Sequence, residues 1–189
     1  ASVSRMRDLL HQSRQWLEPS TRISMDEWNV WYAWYRPSSV TDGIYAALAL
    51  HMLMEEAEKS GIALACHFQA VNEGMLCVKP DYVSLTAQGQ VFSRMNRWHM
   101  GNRLCSASQE AVVSVDREGR MAVTVVNAAF RSEKPVDFSS FGPCSEAVLF
   151  SSDTVLPPSE FTVTDVLEQA AGGTFQMPPH SVLFMHFNN

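Results

Sequence analysis

Several function classes are excluded by what the sequence lacks. Its 14 Lys and Arg are outnumbered by 20 Asp and Glu, a formal net charge of -6, so there is no basic footprint for nucleic acid or an anionic lipid surface. No apolar run reaches the roughly 20 residues that a membrane span requires. The N-terminus, Ala1-Ser2-Val3-Ser4-Arg5-Met6-Arg7, has no apolar signal core, and a start at Ala1 rather than Met reads as processing or excision from something longer. The four cysteines, Cys66, Cys77, Cys105 and Cys144, contain no C-x-x-C pair. Their spacing fits neither a small disulfide framework nor a zinc site. They are expected to be free, buried thiols in a reducing, cytoplasmic compartment. The six histidines show no H-E-x-x-H pattern, and neither a G-x-S-x-G elbow nor a glycine-rich phosphate loop occurs. No metal and no cofactor is expected. Internal repeats and low-complexity tracts are also missing.

What remains is ordinary globular composition, 46% hydrophobic and 18% charged, whose character changes near residue 103. Before that point helical and strand-like segments alternate. Met6, Leu9, Leu10 and Trp16 lie at helical spacing over residues 5–17, and Glu18-Pro19-Ser20 breaks the run. A strand-like stretch follows from Arg22 to Trp28 and continues into Val30, Trp31 and Tyr32. Beyond a loop at Arg36-Pro37-Ser38-Ser39, Thr41-Asp42 caps a second helix running to about Lys59, with Gly61 as its stop. Ile62 to Phe68 is almost continuously apolar, as a strand buried on both faces would be. A bend at Lys79-Pro80-Asp81 leads to a third helix from about Thr86 to His99. This order is that of repeated β/α units.

After residue 103 short strand-like runs dominate, at 111–115, 121–126, 147–150, 161–166 and 181–187, punctuated by Asp116-Arg117-Glu118-Gly119, Pro157-Pro158, Gly172-Gly173 and Pro178-Pro179. Turns at that frequency suggest an antiparallel sandwich. The period-2 pattern of the last run places Val182 and Phe184, or their alternates, inward. The expected organisation is therefore α/β over residues 1–103 and all-β over 104–189.

The stretch richest in chemistry is Ile23-Ser24-Met25-Asp26-Glu27-Trp28-Asn29-Val30-Trp31-Tyr32-Ala33-Trp34-Tyr35. It gathers three tryptophans, two tyrosines and two adjacent carboxylates at the end of an expected parallel strand, where β/α barrels place their active sites. Indole faces suit the C–H faces of sugars, and carboxylates suit their hydroxyls. Simple alternation sends Asp26 and Glu27 to opposite sides of the strand. His67 is the histidine nearest such a cleft, and a lone His on an apolar strand is usually packed.

Asp26-Glu27-Trp28-Asn29-Val30-Trp31-Tyr32 resembles the nucleophile strand of glycoside hydrolase family 51, the α-L-arabinofuranosidases. Ala65-Cys66-His67-Phe68-Gln69-Ala70-Val71-Asn72 is similar to that family's eighth-strand block, and Met177-Pro178-Pro179-His180-Ser181 to the last strand of its C-terminal sandwich. The resemblance implies the end of a (β/α)8 TIM barrel over 1–103 followed by a β-sandwich over 104–189. It implies Glu27 as the nucleophile of a retaining hydrolase releasing terminal α-L-arabinofuranosyl residues. It also implies that Gln69 bonds the sugar, that Trp31 forms part of an apolar wall, and that Asn29 and Trp28 complete the substrate site by orienting the strand end.

The sequence departs from the family in its short loop after the nucleophile strand, in His67-Phe68 beside Gln69, and in Glu73-Gly74 after Asn72. A retaining mechanism needs a second carboxyl about 5–5.5 Å away. The resemblance puts it in an Asn-Glu pair on an earlier strand, and no such pair precedes Glu27; Asn72-Glu73 follows the wrong strand. The expected partners are thus an arabinofuranosyl-containing saccharide and either a missing N-terminal barrel segment or a homo-oligomer, with no nucleic acid and no membrane. The rival expectations are a non-catalytic carbohydrate-binding or structural module, or an endoglucanase or xylosidase on the same fold.

Overall fold

A computed structural model describes residues 3–30 and 36–188. The first half is built from helices and a short parallel sheet. Helix α1 (Val3–Gln15) buries Val3 and Leu10, leads into strand β1 (Ile23–Trp28), then helix α2 (Val40–Lys59), strand β2 (Ile62–His67), a hairpin β3 (Leu76–Val78) and β4 (Val83–Leu85), and helix α3 (Ala87–His99). Strands β1 and β2 pair in parallel, the arrangement that a helical crossover permits. Met52, Leu53, Ile62 and Trp28 form a core between this sheet and its helices.

Helix α1 stops before Trp16, which is 87% exposed rather than part of the apolar stripe. The Arg14 guanidinium closes the following turn by donating to the carbonyls of Leu17, Glu18 and Thr21. Glu56, buried on α2, ties α1 down: it accepts from His11 and from Ser60 at 2.9 and 2.8 Å, with Arg7 3.6 Å away. Helix α2 begins slightly earlier than Thr41-Asp42 suggests. Ser39 is the N-cap, and Asp42 reaches back to the Ser39 backbone N–H as the acidic half of a capping box.

The second half is antiparallel. Strands β5 (Arg103–Ala107), β6 (Ala111–Val115), β7 (Met121–Asn127), β9 (Cys144–Ser151), β10 (Thr162–Asp165) and β12 (Ser181–Phe187) form one sheet in the order β10-β9-β12-β7-β6-β5. Strands β8 (Lys134–Asp137) and β11 (Thr174–Met177) pair separately and cover one face together with the one-turn helix α4 (Leu167–Ala170). Helices α2 and α3 cover the other face.

The six-stranded sheet is therefore a middle layer, and its central strand is buried on both sides. Val182 and Phe184 enter the core shared with α2 and α3, while Leu183, Met185 and Phe187 enter the core under β8 and β11. The period-2 expectation of one inward face is corrected here: α2 and α3 cover one face of β12 and β8, β11 and α4 the other, so both sets of side chains meet protein. For β2 the correction runs the other way. Its apolar run suggests burial on both faces, yet Leu64 is 55% exposed and Cys66 is exposed, because nothing among the described residues covers that face.

The four cysteines are free, but Cys66 and Cys105 are exposed and the other two half-buried, not buried as expected. Cys66 sits on the uncovered face of β2 and Cys105 on the edge strand β5. No helix among the described residues is long and apolar enough to cross a membrane.

Candidate functional site

Strands β1 and β2 run side by side and end together. Met25 faces Ala65 and Trp28 faces His67, so two residues of β1, Asp26 and Glu27, stand against the single residue Cys66. This is a β-bulge, which inserts a residue and re-aims the side chains around it. It overrides the alternation that would have separated the two carboxylates. Met25 and Trp28 both join the helix-side core, whereas Asp26 and Glu27 are both exposed and belong to no core cluster. Ser24 donates to Asp26 at 2.6 Å, leaving Glu27 as the carboxylate at the lip of a cleft of about 670 Å³. Met6 and Leu9 of α1 and Tyr45 of α2 contribute its apolar wall, and Phe68 closes it from the β2 side. Burial pushes the Tyr45 phenol above its ordinary 10.

The strand ends are held by their neighbours. The Phe68 N–H donates to the Trp28 carbonyl at 3.1 Å, so Gln69 emerges, exposed, directly beside the end of β1. Asn29 uses its amide within the protein: Nδ2 donates to the Glu73 carbonyl at 2.9 Å and Oδ1 accepts from the Val30 N–H at 2.6 Å. It thereby clamps the β1 end to the loop after β2. Trp28 is 4% exposed, and its ring packs edge-on against His67 at 4.9 Å. His67 in turn contacts Gln88 of α3 at 2.7 Å. Burial holds this imidazole below its ordinary 6.5, with the Gln88 contact opposing.

Thus the structure sets Glu27, Asn29, Trp28 and Gln69 around two adjacent strand ends, with Asn29 and Trp28 engaged in holding the frame. Trp31 lies outside the described residues. Tyr45 and Phe68 are not marked by sequence as site residues: Tyr45 reads as one more apolar position of α2, and Phe68 as the end of an apolar run. The signal for both is adjacency to the motif strand, which only the fold supplies.

Comparison with known proteins places this architecture. No protein-family model and no curated protein matches the sequence. Solved structures do match. The α-L-arabinofuranosidase of Thermotoga maritima, solved as an arabinose complex, is similar over 98% of this chain with a TM-score of 0.72 and 17% identity. The family 51 α-L-arabinofuranosidase of Thermotoga petrophila gives the same TM-score and coverage at 16% identity. A family 30 xylanase from Talaromyces cellulolyticus matches over 91% of the chain with a TM-score of 0.61 and 13% identity. The fold is that of the C-terminal part of family 51 arabinofuranosidases, within a wider set of glycosidases. The chain spans about half the length of the arabinofuranosidases it matches, 48% of each.

Proposed function

We propose that the chain is the C-terminal part of a retaining glycoside hydrolase that releases terminal α-L-arabinofuranosyl residues from polysaccharides or oligosaccharides. In this reading β1 and β2 are the last two strands of a (β/α)8 barrel within residues 1–103, and residues 104–189 are its C-terminal sandwich. The observation that carries the proposal is the bulge at Asp26-Glu27, which leaves Glu27 exposed near the end of β1, while Gln69, also exposed, follows the paired end of β2. Barrel enzymes assemble their sites at such ends.

Glu27 acts as the nucleophile. Its carboxylate attacks the anomeric carbon and the glycosidic C–O bond breaks, with the leaving oxygen protonated by a second carboxyl. Water, deprotonated by that same carboxyl, then displaces Glu27 from the glycosyl ester, giving net retention. Gln69 bonds sugar hydroxyls, Trp31 adds apolar wall, and Asn29 with Trp28 keeps the strand end in place. The second carboxyl is supplied by the half of the barrel that the matched enzymes have and this chain does not span, in the same polypeptide or from a partner copy.

The likeness to a xylanase supports one rival reading, a xylan-directed glycosidase on the same frame. The two separate in one assay. The chain completed with an N-terminal barrel half should hydrolyse an aryl α-L-arabinofuranoside faster than an aryl β-D-xyloside, with the anomeric configuration of the first product retained. The chain alone, lacking general acid help, should be slower by about 10²–10⁴-fold. Preference for the xyloside favours the rival, and an inverted product rules out a nucleophilic Glu27.

A further inference from the structure

A second cleft shares no lining residue with the first, and the glycosidase reading does not use it. It measures about 960 Å³ and runs between the β3–β4 hairpin and the loop that joins β9 to β10. One wall carries Asn72, Lys79, Tyr82 and Ser84, and the other carries Arg36 and Glu160. All come from segments that follow β1 or β2 or from the antiparallel half, so the cleft opens at the end of the parallel sheet where Glu27 and Gln69 emerge.

The walls are built before any ligand arrives. The Val40 N–H donates to Ser159 Oγ at 3.0 Å, and the Ser159 N–H donates to the Ser38 carbonyl at 3.1 Å. Gln90 of α3 exchanges two hydrogen bonds with the Phe161 backbone, at 3.1 and 3.0 Å. The antiparallel half is thus fastened to the starts of both α2 and α3. On the hairpin side, Asn72 Oδ1 accepts from the Val78 N–H at 2.7 Å, and Thr86 Oγ1 donates to the Gly74 carbonyl at 2.6 Å. Binding sites are commonly of this size and largely pre-formed.

The chemistry of the lining selects a neutral, hydroxyl-rich ligand. Arg36 commits its fork to the buried Asp42, with contacts of 2.8 and 2.5 Å, so its charge is already matched within the protein. Lys79 and Glu160 oppose each other in sign across the cleft. Tyr82 stands at the hairpin turn with 52% of its surface exposed, a flat apolar face with a hydroxyl at its tip. The Asn72 amide and the Ser84 hydroxyl add groups that donate and accept. Ser38 also lines the cleft, and its buried Oγ has no hydrogen-bond partner among the described residues.

We propose that this groove binds the saccharide chain extending away from the scissile bond, a neutral oligosaccharide of several units, with Tyr82 as its stacking platform. The placement beside Glu27 rests on the glycosidase reading, whereas the binding does not. The test is calorimetric titration of the chain with an α-1,5-arabinohexaose, a xylohexaose, trigalacturonate and L-arabinose. At least one neutral hexasaccharide should bind more tightly than trigalacturonate. Tyr82→Ala should weaken that binding by about tenfold or more, and Ser84→Trp, which fills the groove, should do the same, while the response to L-arabinose stays as in the parent. Circular dichroism checks that both variants fold; Tyr82 is exposed and Ser84 half-exposed. The inference is overturned if no neutral hexasaccharide binds, if both variants bind as the parent does, or if trigalacturonate binds best. Should a completed enzyme fail to hydrolyse aryl glycosides while hexasaccharide binding still tracks Tyr82, the groove stands and the glycosidase reading falls.

Discussion

Gly74 shows how single residues fix the site. A Cβ at this position would lie 2.3 Å from the Gln69 carbonyl oxygen and 2.6 Å from His67 Cε1. The backbone of the β2–β3 loop therefore runs against the residue proposed to bond the sugar, and only glycine permits that approach. Gly74→Ala should force the loop away from Gln69 and destabilise the chain by roughly 1–3 kcal/mol, the usual range for overpacking. Gly172→Ala is the matched control, because a Cβ added there would meet nothing within 4 Å, and it should be neutral or slightly stabilising. Urea unfolding of both variants checks this. Equal midpoints for Gly74→Ala and the parent would show that the loop yields at no cost and does not position Gln69.

At the scale of elements, the contact between α3 and the six-stranded sheet is pinned by a buried polar set. His99, at the end of α3, contacts Ser114 of β6 through Nδ1 at 2.8 Å and Thr124 of β7 through Nε2 at 2.7 Å. A neutral imidazole satisfies both hydroxyls, one by donating and one by accepting. Burial, with the neighbouring His186 adding to it, lowers His99 from 6.5 to about 4, and burial lowers His51 of α2 to about 3 despite its contact with the Gln109 carbonyl. Both folded pKa values lie below the unfolded one, so the unfolded chain takes up these protons first. The associated stability is complete above pH 6.5 and is lost as pH falls from there toward 4 and below, at about 1.4 kcal/mol per pH unit for each proton. His99→Gln keeps hydrogen-bonding capacity without titrating near neutrality. Between about pH 6.5 and 4.5 its stability should fall less steeply than the parent's, by the slope that one proton contributes. An unchanged slope in denaturant titrations across that window would contradict the assignment.

Helices α2 and α3, strands β1 and β2, and strands β6, β7 and β12 are legible because each has an apolar period or, for α2, a clear stop at Gly61. Strands β5, β8 and β11 are not. Arg103–Ala107 and Lys134–Asp137 are short and polar, and they become strands only because β6 and β11 lie alongside them. The β3–β4 hairpin reads as a mere bend at Lys79-Pro80-Asp81, since three-residue strands give no period. At the site, the motif locates Glu27 and Gln69 in the chain. The bulge that frees both carboxylates cannot be read from Asp26-Glu27, because it is a property of the pairing with β2.

For the molecule as a whole, the two halves share a hydrophobic core. One core contains Val40, Ile44 and Ala47 of α2, Val91 and Trp98 of α3, and Val182 and Phe184 of β12, so the antiparallel sheet braces the helices that carry the parallel strands. Further strands would complete a barrel in the proposed enzyme by pairing with the outer edges of β1 and β2, which no strand among the described residues occupies. In that completed enzyme, trapping of the glycosyl ester shows whether Glu27 is the nucleophile. The enzyme should be treated with a 2-fluoro arabinofuranosyl donor carrying a good leaving group, which slows breakdown of a glycosyl ester, and its peptides mapped by mass spectrometry. One added fluoroarabinosyl unit is expected on the peptide bearing Glu27. In Glu27→Gln that label should vanish, with turnover of the aryl arabinofuranoside down by at least about 10³-fold. Label on another carboxylate, or full turnover in the Gln variant, would contradict it.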